Sequence, residues 1–226
     1  MKKTIYLGGD DVERLFLKDV EFETDNGDRV VVQKSSIPGA DMADLIARHK
    51  GRYYLLGLYS RPGYRLLDFP CGSGYAADIV KEFGVVYHGI EKDPLAVEYA
   101  RHVYGRNDAS FEVGDLQSPT LPNNFFDTIG CIEGIEHIEN QFQEPLIKSL
   151  KKALKRGGTL IISSPESPSG VSGPSVSNIW HKWELTRNDF LSLLRRHFES
   201  VEFITHKAVL STGELSTCYY GVCRNE

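Results

Sequence analysis

The sequence predicts an α/β fold: a doubly wound, mostly parallel seven-stranded sheet with an antiparallel C-terminal hairpin and an N-terminal extension. Between residues 65 and 163, short apolar runs typical of buried strands alternate with longer runs that have the period of amphipathic helices. A glycine-containing turn follows the first of these strands. Two β-rich runs, 201–210 and 217–223, close the chain without a helix between them, which predicts an antiparallel hairpin at the sheet edge.

The N-terminal residues 1–60 are predicted to form an extension that covers part of the functional site, and residues 61–226 the main domain. Two β-rich runs within 20–33 flank Asn26-Gly27, the strongest short-range signal for a β-hairpin. From Asp41 to about Tyr59, apolar and aromatic residues recur at spacings of three and four, which predicts a helix.

The elements of the main domain follow from apolar runs and from helix-capping signals. Asp93-Pro94 supplies an N-cap and a first-turn proline for a helix that ends at Gly105. Thr186 with Asp189 approximates a capping box for another helix. A helix over 74–83 and one that stops at Gly157-Gly158 complete the helical set. The predicted parallel strands are Arg65–Phe69, Val85–Glu91, Ser110–Val113, Thr128–Ile132 and Thr159–Ser163.

The composition narrows the classes of partner. The 226 residues carry 26 Lys+Arg against 31 Asp+Glu, a net charge of −5, so no overall positive field favours a nucleic-acid backbone. None of the four cysteines forms a C-x-x-C pair, and reduced thiols are expected. No apolar run approaches the length of a membrane span, and the N-terminus lacks the apolar region of a signal peptide. A cytoplasmic protein without a membrane partner is the expectation.

Acidic residues follow three strands of the predicted sheet, where ligands of such folds bind. Asp68 opens the turn D-F-P-C-G-S-G, in which Gly72 and Gly74 allow a close approach of the backbone to a ligand. Glu91 ends the second strand, where a carboxylate can accept hydrogen bonds from the hydroxyls of a ribose. Asp115 follows the third strand and could accept from an adenine amine. Together these acids predict a nucleoside pocket.

Two classes of cofactor compete for this turn. The segment from Gly72 to Ala77 fits the loose dinucleotide pattern G-x-G-x-x-A, which favours a nicotinamide-dependent oxidoreductase. Asp68 argues against that class, because a carboxylate immediately before the turn would repel a pyrophosphate. The same carboxylate suits a cationic sulfonium ligand with an amino-acid tail.

Five segments in order, LLDFPCGSGY, GIEKDPLAVEYAR, FEVGD, FFDTIGCIEGIEHI and LKRGGTLIISSPE, resemble the successive motifs of class I S-adenosylmethionine-dependent methyltransferases. The family usually has glycine where Pro70 stands, and its members often use an arginine before the first strand for the carboxylate of the cofactor, here Arg52. The resemblance implies a Rossmann-like fold and these cofactor-binding residues: Arg52, Tyr53, Asp68, Pro70, Gly72, Gly74, Glu91, Lys92, Asp115, Leu116 and Ile132.

The segment C-I-E-G-I-E-H after the fourth strand is the candidate for the chemistry. If it is helical from Glu133, then Glu133, Glu136 and His137 share one face. The long loop 165–185 is predicted to be a lid, and it supplies His181 between two tryptophans. These four side chains form a candidate site for Mg²⁺, Mn²⁺ or Zn²⁺. His137 and Glu133 are the predicted catalytic residues.

Two subfamilies share parts of this pattern. E-x-x-E-H resembles both the ubiquinone-pathway O-methyltransferases and the RNA 3′-terminal 2′-O-methyltransferases. The wider frame, with ISSPESP and NIWHKWELTRNDFLSLLRRHF, resembles bacterial methyltransferases of cell-surface polysaccharide biosynthesis. The interpretation is therefore methyl transfer to an oxygen of a sugar or other small hydroxylated acceptor, with RNA methylation and a NAD-dependent reaction as alternatives. The edges of the two terminal β regions leave a homodimer open.

Overall fold

The structure, a computed structural model, describes residues 2–9, 14–36, 39, 41–209 and 215–226, and the side chains of Val209 and Leu215 lie outside the description. Predictions that fall on residues 1, 10–13, 37, 38, 40 and 210 therefore lie outside the described residues. The elements in chain order are β1 (Thr4–Gly8), β2 (Val20–Glu23), β3 (Arg29–Gln33), α1 (Met42–Leu58), β4 (Arg65–Asp68), α2 (Ala76–Val80), β5 (Val86–Glu91), α3 (Pro94–Tyr104), β6 (Ala109–Val113), β7 (Phe126–Cys131), α4 (Asn140–Ala153), β8 (Leu154–Pro165), α5 (Arg187–Arg195), β9 (Ser200–Val209) and β10 (Leu215–Arg224).

The main sheet confirms the predicted fold class. It has seven strands in the order β6-β5-β4-β7-β8-β10-β9. The pairs from β6 to β8 are parallel, whereas β10 pairs antiparallel with both β8 and β9. Leu66 and Leu67 on neighbouring positions of β4 are both fully buried, as expected when helices cover both faces of a sheet. The carboxyl ends of β4, β5 and β7 therefore meet at one edge.

Two predicted helix boundaries are wrong, and the sheet explains one of them. The helix expected to reach Gly157-Gly158 ends at Ala153, because Leu154 already pairs with Phe126 as the first residue of β8. The helix expected over 74–83 has five α-helical residues and continues as a 3-10 turn over Lys81–Phe83. Within the described ranges, no helix has both the length and the apolar character needed to cross a bilayer.

The N-terminal extension forms a second, three-stranded sheet in the order β1-β3-β2. The predicted hairpin is present as the antiparallel pair of β2 and β3, while β1 joins β3 in parallel, which the sequence did not predict. Phe16 anchors this sheet to α3: its side chain is 1% exposed, and its ring lies 5.0 Å from the ring of Tyr99, edge to face. The Tyr99 hydroxyl also donates to the carbonyl of Lys18 at 3.2 Å.

We expect Phe16→Ala to lower the free energy of unfolding by about 3–5 kcal/mol, because it removes a buried aromatic side chain and leaves a cavity against α3. The measurement is urea denaturation followed by circular dichroism. Tyr6→Ala is the matched control, since Tyr6 is 72% exposed on the same small sheet, and a change within about 0.5 kcal/mol is expected there. Equal effects of the two substitutions would contradict an anchoring role for Phe16.

Candidate active site

A cavity of about 870 Å³ opens at the carboxyl edge of the main sheet. This volume lies in the range of pockets that bind small ligands. All of the predicted cofactor-binding residues except Asp68 and Gly74 line it, and so do Glu133 and His137. Residues from the N-terminal extension and from the loop 165–185 complete the wall: Arg14, Leu15, His49, Trp180 and Lys182.

The two glycines of the turn after β4 have different structural roles. Both have left-handed backbone angles, with φ of +55° at Gly72 and +83° at Gly74. A Cβ atom on Gly72 would meet nothing within 4 Å, so space for a ligand lies directly beside this backbone. A Cβ atom on Gly74 would lie 2.6 Å from Cβ of Ala100 and 2.7 Å from the ring of Phe111. Gly72 therefore faces the cavity, whereas Gly74 permits the turn to contact α3 and β6.

Asp68 lies beneath the turn, fully buried and behind the cavity wall. Its Oδ2 accepts a hydrogen bond of 2.6 Å from the Tyr87 hydroxyl, while its Oδ1 is buried and has no hydrogen-bond partner among the described residues. Burial raises the pKa of Asp68 to about 8, and the charge of Glu91 adds to the shift, whereas the hydroxyls of Tyr87 and Tyr53 oppose it. An unsatisfied buried oxygen of this kind fits a ligand that brings a hydrogen-bond donor to the turn.

Glu91 and Asp115 line the cavity as predicted, and each already contacts a cation. Glu91 accepts from the Gly72 amide at 3.0 Å, and the guanidinium of Arg14 lies 3.6 Å from its other oxygen. Asp115 accepts from Lys92 at 2.8 Å. Burial acts to raise the pKa of Asp115, but the hydrogen bonds from Lys92 and from the Gln117 amide outweigh it and lower this pKa. Asp115 is thus held as a carboxylate, and ligand hydroxyl or amine groups can take the place of the cation that contacts each acid.

The prediction that Glu133, Glu136 and His137 share a helix face is wrong. Glu133 has a left-handed φ of +47°, and only Ile135–His137 form a short 3-10 turn. The backbone turns here because Gly134 contacts Pro70 so closely that a Cβ atom would lie 2.3 Å from the proline ring.

The carboxylate of Glu133 consequently points to a different set of partners. It lies 3.3 Å from the guanidinium of Arg52 and accepts from the Ser163 hydroxyl at 2.7 Å. The thiol of Cys218 also donates to it at 3.0 Å. Burial acts to raise the pKa of Glu133, and the charge of Arg52 with these hydrogen bonds lowers it below the usual value. Glu133 is therefore a carboxylate that orients Arg52 at the cavity wall.

Glu136, His137 and His181 lie together, and each offers one ligand atom within 4.8 Å of the others. The loop 165–185 is held here by backbone bonds, because the amides of Lys182 and Trp183 donate to the carbonyl of Glu136. Nδ1 of His137 donates to the carbonyl of Trp180 at 3.2 Å, and Nδ1 of His181 donates to Glu184 at 2.7 Å. With Nδ1 as the donor, Nε2 carries the lone pair in each neutral ring, which is the form that binds metals or accepts a proton.

Sequence reasoning assigned no role to several residues of the cavity. His49 accepts or donates a hydrogen bond of 2.7 Å with the Tyr75 hydroxyl through Nδ1, and burial together with the charge of Arg52 lowers its pKa to about 3, so it is neutral. Arg14 and Leu15 reach the cavity from the N-terminal extension, and Cys218 of β10 contacts Glu133 at the cavity wall. No local motif marks these residues, since each reaches the site only through tertiary packing.

The two turn glycines give a direct test of this geometry. We expect Gly74→Ala to lower the free energy of unfolding by about 2–4 kcal/mol, because its Cβ atom would overlap Ala100 and Phe111 in a backbone region that disfavours side chains. Gly72→Ala should cost about 1 kcal/mol, for the backbone alone. Denaturant unfolding measures both, and a larger loss at Gly72 than at Gly74 would contradict the assignment.

Comparisons with known proteins agree with this arrangement. A probable S-adenosylmethionine-dependent methyltransferase of Mycolicibacterium smegmatis is 28% identical over 70% of this chain and 61% of its own length. A phosphoethanolamine N-methyltransferase of wheat, Triticum aestivum, is 37% identical over 48% of this chain but 23% of its own length. The chain therefore spans between about a quarter and three fifths of these curated relatives.

Solved structures show the same fold at low identity. A methyltransferase structure from Mesorhizobium loti has a TM-score of 0.61 at 18% identity and covers 76% of this chain and 96% of its own. The cyclase SpnF has a TM-score of 0.63 at 15% identity, over 77% of this chain and 81% of its own, so the fold alone does not define the reaction. A family model described as a methyltransferase domain matches residues 39–204. The chain belongs to this methyltransferase domain family.

Proposed function

We propose that this protein transfers a methyl group from S-adenosylmethionine to an oxygen of a sugar or other small hydroxylated acceptor. The observation that carries the proposal is a single cavity with two chemically different ends. Glu91 and Asp115 line one end, and His137 with Trp180 and Lys182 lines the other. A nucleoside needs the first set of groups, and an acceptor that must lose a proton needs the second.

The cofactor end has a partner for each part of S-adenosylmethionine. Glu91 would accept from the ribose hydroxyls, and Asp115 with the Leu116 backbone would bind the adenine. The unsatisfied oxygen of Asp68 would accept, directly or through water, from the ammonium of the methionine tail. Arg52, oriented by Glu133, would contact the tail carboxylate. Support for these roles comes from the position of each residue along the cavity and from the family.

The transfer itself is an in-line displacement. The acceptor oxygen forms a bond to the methyl carbon while the bond from that carbon to sulfur breaks, and S-adenosylhomocysteine leaves with the electron pair. Nε2 of His137 would accept the proton of the acceptor hydroxyl, since Nδ1 is engaged with Trp180. Trp180 offers an aromatic surface for a sugar or ring acceptor.

A divalent cation is the alternative to proton transfer by His137, because the single lone pair of Nε2 cannot both bind a metal and accept a proton. Glu136, His137 and His181 would hold it, and Glu133 would not, because its carboxylate is bound to Arg52 and Ser163. The hydrogen bond from His181 to Glu184 is the type of outer contact that orients a metal-binding histidine. When bound, the cation would lower the pKa of an acceptor hydroxyl.

The other candidates fit less well. The family match favours methyl transfer over the NAD-dependent alternative. Four acids and four Lys or Arg side chains line the cavity, so no excess of positive charge favours an RNA end. Transfer to nitrogen is the second candidate, because the wheat relative is a phosphoethanolamine N-methyltransferase. An assay with phosphoethanolamine beside the sugar panel below separates the two, because only N-transfer predicts methylation of the amine.

Two finer points belong to the same proposal. The four cysteines are free and buried, which supports a reducing compartment such as the cytoplasm. The N-terminal residues 1–60 and the loop 165–185 would act as covers of the cofactor and acceptor ends, since both contribute to the cavity wall.

The raised pKa of Asp68 makes cofactor binding dependent on pH. Below about pH 8 the carboxyl is protonated without ligand, and an ammonium group favours the carboxylate, so binding of S-adenosylhomocysteine should release a proton. We therefore expect the dissociation constant to fall by up to about tenfold per pH unit between pH 6.5 and 8, and to level off above. Isothermal titration calorimetry in buffers of different ionisation enthalpy measures both effects.

Asp68→Asn is the matched variant, since its amide cannot ionise and the slope should disappear. A wild-type affinity that is flat over this pH range would refute the contact between Asp68 and the ammonium. Binding of NAD without any response to S-adenosylhomocysteine would overturn the proposed function itself.

We expect His137→Ala to lower methyl transfer to a panel of free and nucleotide-linked sugars by about 10²–10⁴-fold, because the proton acceptor is lost. His206→Ala, an exposed histidine on β9, is the control and should retain activity.

Plasma mass spectrometry before and after chelation tests the cation. Full activity of metal-free protein would exclude the metal role, and an unchanged turnover of His137→Ala would exclude both roles.

A further inference from the structure

A segment of the N-terminal extension crosses the ribose end of the cavity. Residues 14–18, called the strap here, connect toward β2, and Arg14 and Leu15 line the cavity beside Gly72 and Ser73. One guanidinium nitrogen of Arg14 lies 2.9 Å from Oδ2 of Asp93, and the other lies 3.6 Å from Oε1 of Glu91. The strap is thus bound to the acid that would hold the ribose.

Further hydrogen bonds hold the strap at Leu15 and Phe16. The hydroxyl of Ser73, in the glycine turn, donates to the carbonyl of Leu15 at 2.6 Å. Ser35 bonds the strap to the small sheet, because its amide donates to the Phe16 carbonyl and its hydroxyl accepts from the Phe16 amide, both at 2.9 Å. Leu15 and Phe16 are 6% and 1% exposed. These hydrogen bonds and the burial of Leu15 and Phe16 hold the strap in one position beside the cavity.

The oxygens of Glu91 show why Arg14 is coupled to the ligand. Oε2 accepts from the Gly72 amide at 3.0 Å, and Oε1 accepts from the Asp93 amide at 3.3 Å and faces Arg14. Each carboxylate oxygen has two lone-pair positions, so a ribose hydroxyl at Oε1 must share or replace the Arg14 contact. The stronger pair with Asp93 keeps Arg14 beside the ribose position throughout.

We propose that Arg14 is a cofactor-binding residue that holds the strap across the ribose end of the cavity and sets the rate at which S-adenosylhomocysteine leaves. The inference rests on the proposed cofactor site. Arg14 links the strap to Asp93, the N-cap residue of α3, so the strap cannot separate from the ribose end without breaking this pair. A segment that closes over a bound ligand mainly lowers the rate at which that ligand dissociates. Product release in turn often limits the turnover of an enzyme.

The test compares the rates of S-adenosylhomocysteine dissociation in the full chain by surface plasmon resonance. We expect Arg14→Ala to raise the dissociation rate about fivefold or more, in line with loss of a half-buried ion pair, and to change the association rate less. Asp93→Asn keeps the helix cap, because asparagine is an equally good N-cap, and should have the same effect. Both substitutions remove the same ion pair. The double variant should therefore release S-adenosylhomocysteine no faster than the faster of the two single variants.

Arg29→Ala is the matched control. Arg29 lies on the small sheet to which Ser35 binds the strap, donates to Glu21 at 2.7 Å and does not line the cavity. S-adenosylhomocysteine should therefore dissociate from Arg29→Ala as fast as from the wild type. Arg14→Lys, which retains the charge, provides a folded variant if Arg14→Ala does not fold, and an intermediate rate is expected. Raising the salt concentration should speed dissociation in the wild type more than in Arg14→Ala, which lacks the charge.

The outcomes separate the two proposals. A wild-type dissociation rate in folded Arg14→Ala and in Arg14→Lys would overturn the role of the strap and leave the cofactor site intact. Absence of S-adenosylhomocysteine binding by the wild-type chain would overturn the proposed function, and the role of the strap with it. Additive effects of Arg14→Ala and Asp93→Asn would also contradict the proposal, because the two residues would then act independently.

Discussion

The contact of the glycine turn with α3 and β6 is the constraint on which the rest of the site depends. Gly74 lies so close to Ala100 and Phe111 that no side chain fits between them. The turn held by this contact covers the buried Asp68, and its Gly72 amide donates to Glu91 at the end of the neighbouring strand β5. A larger residue at position 74 would separate these elements, and the acids at the strand ends would no longer face one cavity.

Charge pairing explains how so many acids can line one cavity. Glu91 with Asp93 faces Arg14, Asp115 faces Lys92, and Glu133 faces Arg52. Each cation comes from a segment of the chain other than the one that supplies its acid. A buried charge is costly unless it is paired, so these contacts offset the cost of placing several acids around one cavity. When a ligand binds, its hydrogen bonds to an acid replace part of the contact between that acid and its cation.

The loop 165–185 shows how backbone bonds can assemble chemistry from distant residues. Two consecutive amides of the loop donate to the carbonyl of Glu136, and this fixes His181 beside His137. The hydrogen bonds of the two Nδ1 atoms orient both rings, as the outer contacts of metal-binding histidines do. The E-x-x-E-H motif thus contributes Glu136 and His137 to this group, while its first glutamate orients Arg52 instead.

The sequence by itself determined the alternation of strands and helices, the hairpin at Asn26-Gly27, and the acids at the ends of β4, β5 and β6, because these features depend on local periodicity, turn chemistry and position along a strand. Only the tertiary structure decided the direction of Glu133, because its left-handed backbone follows from contact between Gly134 and Pro70. The same holds for Arg14, His49 and Cys218. Arg14 and His49 line the cavity and Cys218 contacts Glu133, each from a separate element, and no spacing along the chain encodes a contact that forms only when distant elements pack together.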